Sequence, residues 1–502
     1  MSEKNYLYLL TFVSGMVVMA VELDASRVLA PFFGTSHYVW TNIIAVILAA
    51  LSLGYVLGGK ISEKSPKLKT LLSVVCAASL FLMLVPMISP FFGSVWFAKT
   101  FMWMPAQYAL LMQSLIAMLV IFFIPVAFLG MVSPFIIKLF SQTEQAMGDV
   151  SGKVFAIGTA GSFLGTFLPA IVTIPLIGSK KTILLFATIL FLTAAFGFLR
   201  KRHIAVVCLL IATIGLTSTT GVAHAGKLLY EKETPYQYMQ VIQNIDGSKY
   251  LIFNEGVSVQ SIYKDEKLAS THKYIDALSY APELIEKRPM KVLVIGLAGG
   301  TIARNIKDLY GDQVKITGVE IDPYVVEAAK KFMGLKDGGI DVVISDGRTF
   351  LRNTDESFDV IIVDAYSNQL TIPFHLATQE FFMLVKAHLA ENGIMATNIN
   401  DSNEDSMIIS SEIATLKTVF TDVMVADGKQ AINYIVIAGN KIETSRLKKT
   451  KIGPEQIRLN ALDVLSGLHP AKLSDARVLT DDWAPLEKMT DDMIWRYYRE
   501  AK

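Results

Sequence analysis

Lys291-Val-Leu-Val-Ile-Gly-Leu-Ala-Gly-Gly-Thr301 decides how the second half of this 502-residue chain folds. Lys291–Gly296 reads as a strand buried on both faces, because its apolar run is unbroken rather than alternating. The glycines then turn the chain into a helix over Thr301–Leu309. Glycine lets a backbone approach a ligand closely, and a helix N-terminus offers N–H groups without intrahelical partners. Taken alone, the pattern is weakly specific.

The same strand and helix rhythm continues downstream, as in a doubly wound sheet. Lys315–Glu320 reads as a strand, Pro323–Phe332 as a helix opened by proline, and Ile340–Ser345 as a strand. Phe358–Asp364 is a fourth strand, Thr378–Leu389 a helix and Gly393–Asn398 a fifth strand. A helix over Asp405–Phe420 precedes strands near Asp422–Ala426 and Ala431–Ala438, and Lys441–Lys451 reads as a solvated linker or loop. Upstream, Tyr236–Ile245 alternates, Asp246-Gly247 is a hairpin signal, and Tyr250–Asn254 and Val257–Tyr263 follow. That predicts a small antiparallel β unit ahead of the larger sheet.

Three of these strands end on carboxylates. Glu320 closes the second strand about twenty residues after the glycine turn, where a carboxylate grips ribose hydroxyls. Ser345-Asp346-Gly347-Arg348 closes the third strand and Val363-Asp364-Ala365-Tyr366 the fourth. Singly, Asp346 or Asp364 reads as a cap or turn residue. Jointly they line the crevice where such sheets bind ligands, so a nucleoside-type ligand is expected. The spacing G-x-x-G-G is not G-x-G-x-x-G, which disfavours NAD, and no metal is expected.

The first half is of another kind. The chain is 52% apolar and 18% charged, and nearly all of the apolar excess precedes residue 226. Seven charge-free stretches run over Asn5–Val21, Tyr38–Gly59, Thr70–Pro90, Gln107–Ile137, Val154–Gly178, Thr182–Leu199 and Ile204–Ala223. A spanning helix needs about 20 such residues, and all but the first clear that. The pairs Gly54/Gly58, Gly158/Ser162 and Gly161/Gly165 suit close helix packing, and Pro125 and Pro134 predict a kink. Alternate loops hold Lys60, Lys64, Lys67, Lys69, Lys138, Lys153, Arg200, Lys201 and Arg202, against Arg27, Lys99, Lys180 and Lys181 on the other side. The richer side is expected to be cytoplasmic, with the N-terminus. Trp96, Phe97 and Trp103 then form an outer aromatic belt. Seven crossings would leave the C-terminal half outside, and the sequence leaves its side open. Glu22, Asp24 and Arg27 read equally as an intramembrane site or an interfacial i,i+3 pair.

These counts exclude a uniformly soluble enzyme, a disordered chain and a disulfide scaffold, since Cys76 and Cys208 both sit in apolar runs. Lys+Arg 46 against Asp+Glu 45 gives a net charge of +1, so no nucleic-acid partner is expected.

The soluble half resembles the S-adenosylmethionine-binding fold, and more narrowly the spermidine synthase (polyamine aminopropyltransferase) family. Tyr238-Met-Gln-Val241, Val259-Gln260-Ser261, Tyr274, Val319-Glu-Ile-Asp322, Asp346-Gly347 and Asp364 carry that resemblance. The whole chain is similar to the family's membrane-fused branch through Glu22…Arg27, Gly54-Tyr55 with Gly58-Gly59, Gly296-Leu-Ala-Gly-Gly300, Asp346-Gly-Arg348, Asp364-Ala-Tyr366, Ile372-Pro-Phe-His375 and Thr480-Asp-Asp-Trp-Ala-Pro485. The resemblance implies a multi-pass α-helical membrane domain of about seven spans (1–225), a small β-hairpin unit (226–270) and a Rossmann-like catalytic domain of methyltransferase/spermidine-synthase type (271–502).

It further implies decarboxylated S-adenosylmethionine, or the intact form, as co-substrate. The polyamine or other amine would be the acceptor, in a protein of the inner membrane that contacts lipid and pairs as a homodimer. Asp364 would be catalytic. Gly296, Ala298, Gly299, Gly300, Glu320, Asp346 and Gly347 would hold the donor. Gln260, Tyr274, Asp276, Tyr366 and His375 would face the acceptor. The family's glycine-loop Asp is Gly299 here, its second strand-end Asp is Ser367, and the Glu after its tyrosine is Asp276. Asp481, Asp482 or His375 would then restore charge to the pocket. Two other readings stay open, another S-adenosylmethionine-dependent transferase or lyase at the membrane, and a nucleoside or polyamine sensor or transporter without turnover.

Overall fold

The computed structural model describes residues 2–33, 37–93, 101, 106–141, 147–197, 226–254, 259–264, 273–336, 338–366, 370–401, 403–429, 433–472 and 476–500. The chain divides into two compact units, Met1–Ala223 with Lys232–Gln237, and His224–Glu231 with Tyr238–Lys502.

Among the described residues of the first unit, six helices are long and apolar enough to cross a membrane: Glu3–Ala30, Tyr38–Lys64, Leu68–Phe92, Leu111–Phe140, Met147–Ile177 and Ser179–Gly197. The seventh stretch, the aromatic belt and Cys208 lie outside the described residues. Without a hydrophobic drive between helices in lipid, small residues and hydrogen bonds must supply the packing. A Cβ at Gly161 or Gly165 would fall on the carbonyl oxygens of Phe12 and Met16, so the fifth span lies against the backbone of the first. Ser162 Oγ donates to the Gly15 carbonyl across the same seam, at 3.2 Å. Gly54 and Gly58 meet Ala127 and Met131 of the fourth span in the same way. Asn42 Nδ2 adds bonds to the Leu111 carbonyl and Ser114 Oγ, both at 2.8 Å.

The kink expected at Pro125 is a π turn over Leu119–Phe123 immediately before the Ile124–Gly130 helix. A second π turn, Pro169–Thr173, interrupts the fifth span. The first span runs on past Val21 through Glu22, Asp24 and Arg27, its helix ending at Phe33. Arg27 donates to the Thr234 carbonyl at 3.2 Å, and the Glu233 carboxylate accepts from Ser179 N at 2.8 Å. Asp24, on the same helix, is fully buried.

A four-stranded sheet in order β1-β2-β3-β4 is formed by Lys227–Glu233, Tyr238–Gln243, Lys249–Phe253 and Val259–Tyr263, with β2, β3 and β4 antiparallel; all of it but the last two residues of β1 falls in the second unit. The sequence reading found the last three of these strands and not β1. The larger sheet has eight strands: β5 Met290–Ile295, β6 Val314–Glu320, β7 Asp341–Ile344, β8 Phe358–Val363, β9 Leu389–Asn400, β10 Asp422–Asp427, β11 Asn433–Gly439 and β12 His469–Pro470. Their order is β12-β10-β11-β9-β8-β5-β6-β7. β7, β6, β5, β8 and β9 run parallel, and β11, β10 and β12 extend the sheet antiparallel.

Both faces are covered, as a parallel sheet requires. Val292, Val294, Val360, Ile362 and Ile394 pack into one core, and Leu293, Ile295, Ile361, Val363 and Met395 into the other. Lys441–Lys451, expected as a solvated linker or loop, is exposed or half-buried except at Leu447. Thr444–Lys449 is a short 3-10 helix whose Leu447 is buried in the first of these cores. A leucine among basic residues was the signal passed over.

Candidate active site

The register of the parallel strands builds the site. Ile295 of β5 lies opposite both Val319 of β6 and Val363 of β8, and Glu320 lies opposite Ile344 of β7. The residues that follow therefore emerge along one edge. Gly296 sits at φ +86°, and a Cβ there would stand 2.5 Å from the Asp364 carbonyl oxygen. Only glycine lets the turn pass so close over the end of β8. Ala298 is left-handed too, at φ +47°, a conformation that costs an L-residue roughly 1–2 kcal/mol. Its N–H is spent on Glu320 Oε2 at 2.8 Å.

Glu320 thus ties the second strand to the glycine turn. It accepts from Asp322 N through Oε1 at 3.1 Å, and burial pushes its carboxyl up to about 7. Asp346 caps the Gly347–Asn353 helix, Oδ1 accepting from Thr349 N at 2.8 Å. Its Oδ2 faces His375 Nε2 at 2.8 Å. The His375 contact, ahead of the Thr349 amide, holds Asp346 down at about 2. Asp364, at the end of β8, is pushed up to about 7 by burial, while the Asn398 side chain hydrogen-bonds its carboxylate and favours the charged form.

Three predicted residues gather here. Tyr274, on the Lys273–Ser279 helix, and Tyr366 both have phenols raised by burial and then by the Asp364 carboxylate. Tyr366 donates to the Asn398 carbonyl at 2.7 Å. Gly347 packs on Ile295, where a Cβ would collide with the Ile295 side chain. Gln260, half-buried on β4, neighbours Ser261, which faces the glycine turn.

Other predicted residues lie elsewhere. Asp276 is fully buried and accepts from Asn460 Nδ2 at 3.0 Å. Two positions along a helix from Tyr274, it faces another way. His375 stands at Asp346. Asp481 is bound to Arg348, and Asp482 is exposed. Gly299 leaves no room for the family's aspartate, because a Cβ there would stand 2.6 Å from Ser261 Cβ. The Ser261 hydroxyl occupies that space and accepts from Gly299 N at 2.9 Å. Ser367 lies outside the described residues.

Sequence reasoning also missed Asn398 and Glu412. Asn398 is a polar residue ending a buried strand. Glu412 is buried on the Met407–Lys417 helix, with its carboxyl pushed up to about 8 by burial. It is set among Ile409, Ile413 and Leu416 at helical spacing, and a charge on an apolar stripe was its signal.

An open α/β sheet with a glycine turn and carboxylates at successive strand ends places this unit in the Rossmann-like class. The family profile described as the spermine/spermidine synthase domain matches residues 271–437. A probable polyamine aminopropyl transferase of Bifidobacterium longum is 30% identical over 298 residues, 55% of this chain and 66% of its own length, just short of two thirds. Polyamine aminopropyltransferase 1 of Aquifex aeolicus is 30% identical over 200 residues, 39% of this chain and 68% of its own. Polyamine aminopropyltransferase 2 of the same organism is 26% identical over 439 residues, 83% of each chain, a match too long for the second unit alone. The chain belongs to the polyamine aminopropyltransferase (spermine/spermidine synthase) family of transferases.

Proposed function

We propose that this protein is a membrane-anchored aminopropyltransferase that moves an aminopropyl group from decarboxylated S-adenosylmethionine to a polyamine or related amine. The observation that carries this reading is Asp364, held near neutrality between Tyr274 and Tyr366 at the edge of the glycine turn. Glu320 takes the ribose hydroxyls, Asp346 the adenine amino group, and Gly296–Gly300 the donor's side chain. Tyr274, Tyr366 and Gln260 border the amine.

The reaction joins the amine nitrogen to the carbon next to the sulfonium. The carbon–sulfur bond breaks, its electron pair stays on sulfur, and neutral methylthioadenosine leaves. The new ammonium loses a proton to Asp364. The attacking amine must be neutral although its ordinary pKa is about 10, as for lysine. A carboxylate poised near 7 can orient that amine and accept its proton, and in-line placement supplies much of the remaining rate.

A second reading has its own support. With Ser261 filling the space at Gly299, no carboxylate stands there for a free aminopropyl ammonium, and an intact donor would bring its own carboxylate. Purified protein given either sulfonium donor with putrescine distinguishes the two. Spermidine with methylthioadenosine from the decarboxylated donor supports the first reading, and product from the intact donor alone replaces it with the second. The membrane reading has six apolar spans behind it. With basic loops inside, it puts the N-terminus in the cytoplasm of a cell whose inner membrane holds the protein. Protease protection of an N-terminal tag in sealed vesicles tests that orientation.

A further inference from the structure

Arg348 follows Asp346 by two residues, on the helix that Asp346 caps. Its side chain is only 10% exposed. Its two terminal nitrogens donate to the two oxygens of Asp481, at 2.7 and 2.6 Å, from a point 133 residues further along the chain. Nη1 also reaches the His375 carbonyl at 3.3 Å, and the His375 ring bonds Asp346 Oδ2 at 2.8 Å. Asp481 therefore holds both neighbours of Asp346, its helix through Arg348 and its ring partner through the His375 backbone.

Asp481 is 43% exposed, yet it is tied from several sides. Thr378 Oγ1 donates to its Oδ1 at 2.8 Å, and its N–H donates to Glu380 Oε2 at 3.0 Å. It stands in a turn closed by reciprocal Thr480–Trp483 backbone bonds of 3.0 Å. Arg477 stacks on Trp483 at 4.0 Å from the ring centre. A guanidinium fork meeting a carboxylate edge to edge fixes direction as well as distance, which a lysine would not do.

We propose that Asp481 is a positioning residue for base recognition: through Arg348 and His375 it fixes the Asp346 carboxylate so that the nucleoside must present an amino group, as adenine does, and not a carbonyl. The inference rests on the assignment of Asp346 to the donor's base. Each carboxylate oxygen has two acceptor sites. Thr349 takes one on Oδ1 through its N–H and another through its side chain, and His375 takes one on Oδ2, which leaves one of the four. A donor on the base finds an acceptor still open, whereas the carbonyl of hypoxanthine faces a fixed negative oxygen. A carboxylate free to turn would lose that discrimination.

The test measures dissociation constants of methylthioadenosine and methylthioinosine on the full chain in detergent, by calorimetry. Wild type is expected to prefer the adenine compound by about a hundredfold, within what a site built to bond a polar substituent achieves. Asp481→Asn removes the charge and Arg348→Lys the fork. Each should cut that preference about tenfold and raise the donor KM without raising the acceptor KM, a split that general loosening would not give. If either variant fails to fold, Asp481→Glu, which keeps the charge and displaces the carboxylate by one methylene, should still lower the preference severalfold. A wild-type preference kept in full by every folded variant overturns the inference alone. Wild-type protein that binds neither nucleoside overturns the assignment of Asp346, and this inference with it.

Discussion

Replacing Asp364 by Asn keeps the shape of the side chain and removes its capacity to take a proton. The useful quantity is the ratio of wild-type to variant kcat/KM, because titration of the amine substrate is common to both and cancels. With the carboxyl pushed up to about 7, half the wild-type molecules carry the base at neutrality. Below that, the ratio should fall about tenfold per pH unit, and above about pH 8 it should level at roughly 10²–10⁴, the usual worth of a general base. A ratio of 10³ is about 4 kcal/mol of barrier. Asn398→Leu supplies a second handle, since Asn398 favours the charged form. A hydrogen bond to a charged group is worth about 1.5–3 kcal/mol, so its loss should move the inflection to a pH higher by about one to two. Stopped assays of methylthioadenosine from pH 5 to 9 read both effects. A ratio flat across that range, or an Asp364→Asn variant at full rate, refutes the assignment of the base.

Stability should fall as pH rises from about 4.5 to about 8. Glu320 and Glu412 are raised in the folded state to about 7 and about 8, so their contribution is complete below about 4.5, is lost progressively above it, and is gone once each has ionised in place. A tenfold change in acidity corresponds to about 1.4 kcal/mol, so Glu412→Gln should remove a few kcal/mol of that loss. Denaturant midpoints measured from pH 6 to 9 check it, and parallel slopes for variant and wild type would contradict it. Gly299→Asp should destabilise by about 1–3 kcal/mol through overpacking on Ser261. Thermal melts should show Ser261→Gly in the same chain recovering much of the loss, and a single variant as stable as wild type would count against the crowding. Gly161→Leu should lower the folded yield in detergent severalfold, because its Cβ meets the Phe12 backbone. Gly152→Leu, with open space around it, should not. Size-exclusion profiles compare the two.

What the sequence made legible was whatever depends on local pattern. Val292–Ile295 could be read as a strand because its neighbours on both faces are helices, and Glu320, Asp346 and Asp364 because strand ends in one sheet share an edge. Contacts made across the chain were not legible. Asp481 looked available to an amine, and only the fold brings Arg348 to it from 133 residues away. Asp276 sits at the middle of the short Lys273–Ser279 helix, where spacing from Tyr274 does not say which face meets the site. β1 escaped notice because Lys227–Glu233 carries charges on an edge strand and lacks clean alternation. Ser261 reads from sequence only as part of a family signature, and its filling the place of a missing carboxylate depends on the fold.

Ser261 and the residue after it bear on how far the enzyme can be cut down. Thr301, which opens the helix behind the glycine turn, exchanges bonds of 3.1 Å with both the N–H and the carbonyl of Ile262. Arg304 reaches the same carbonyl at 3.1 Å. The glycine turn is therefore held from β4, upstream of the region the family profile recognises. A fragment trimmed to residues 271–437 would keep every strand-end carboxylate and lose the template that shapes the loop between them. The smallest portable version of this catalyst has to begin before the hairpins.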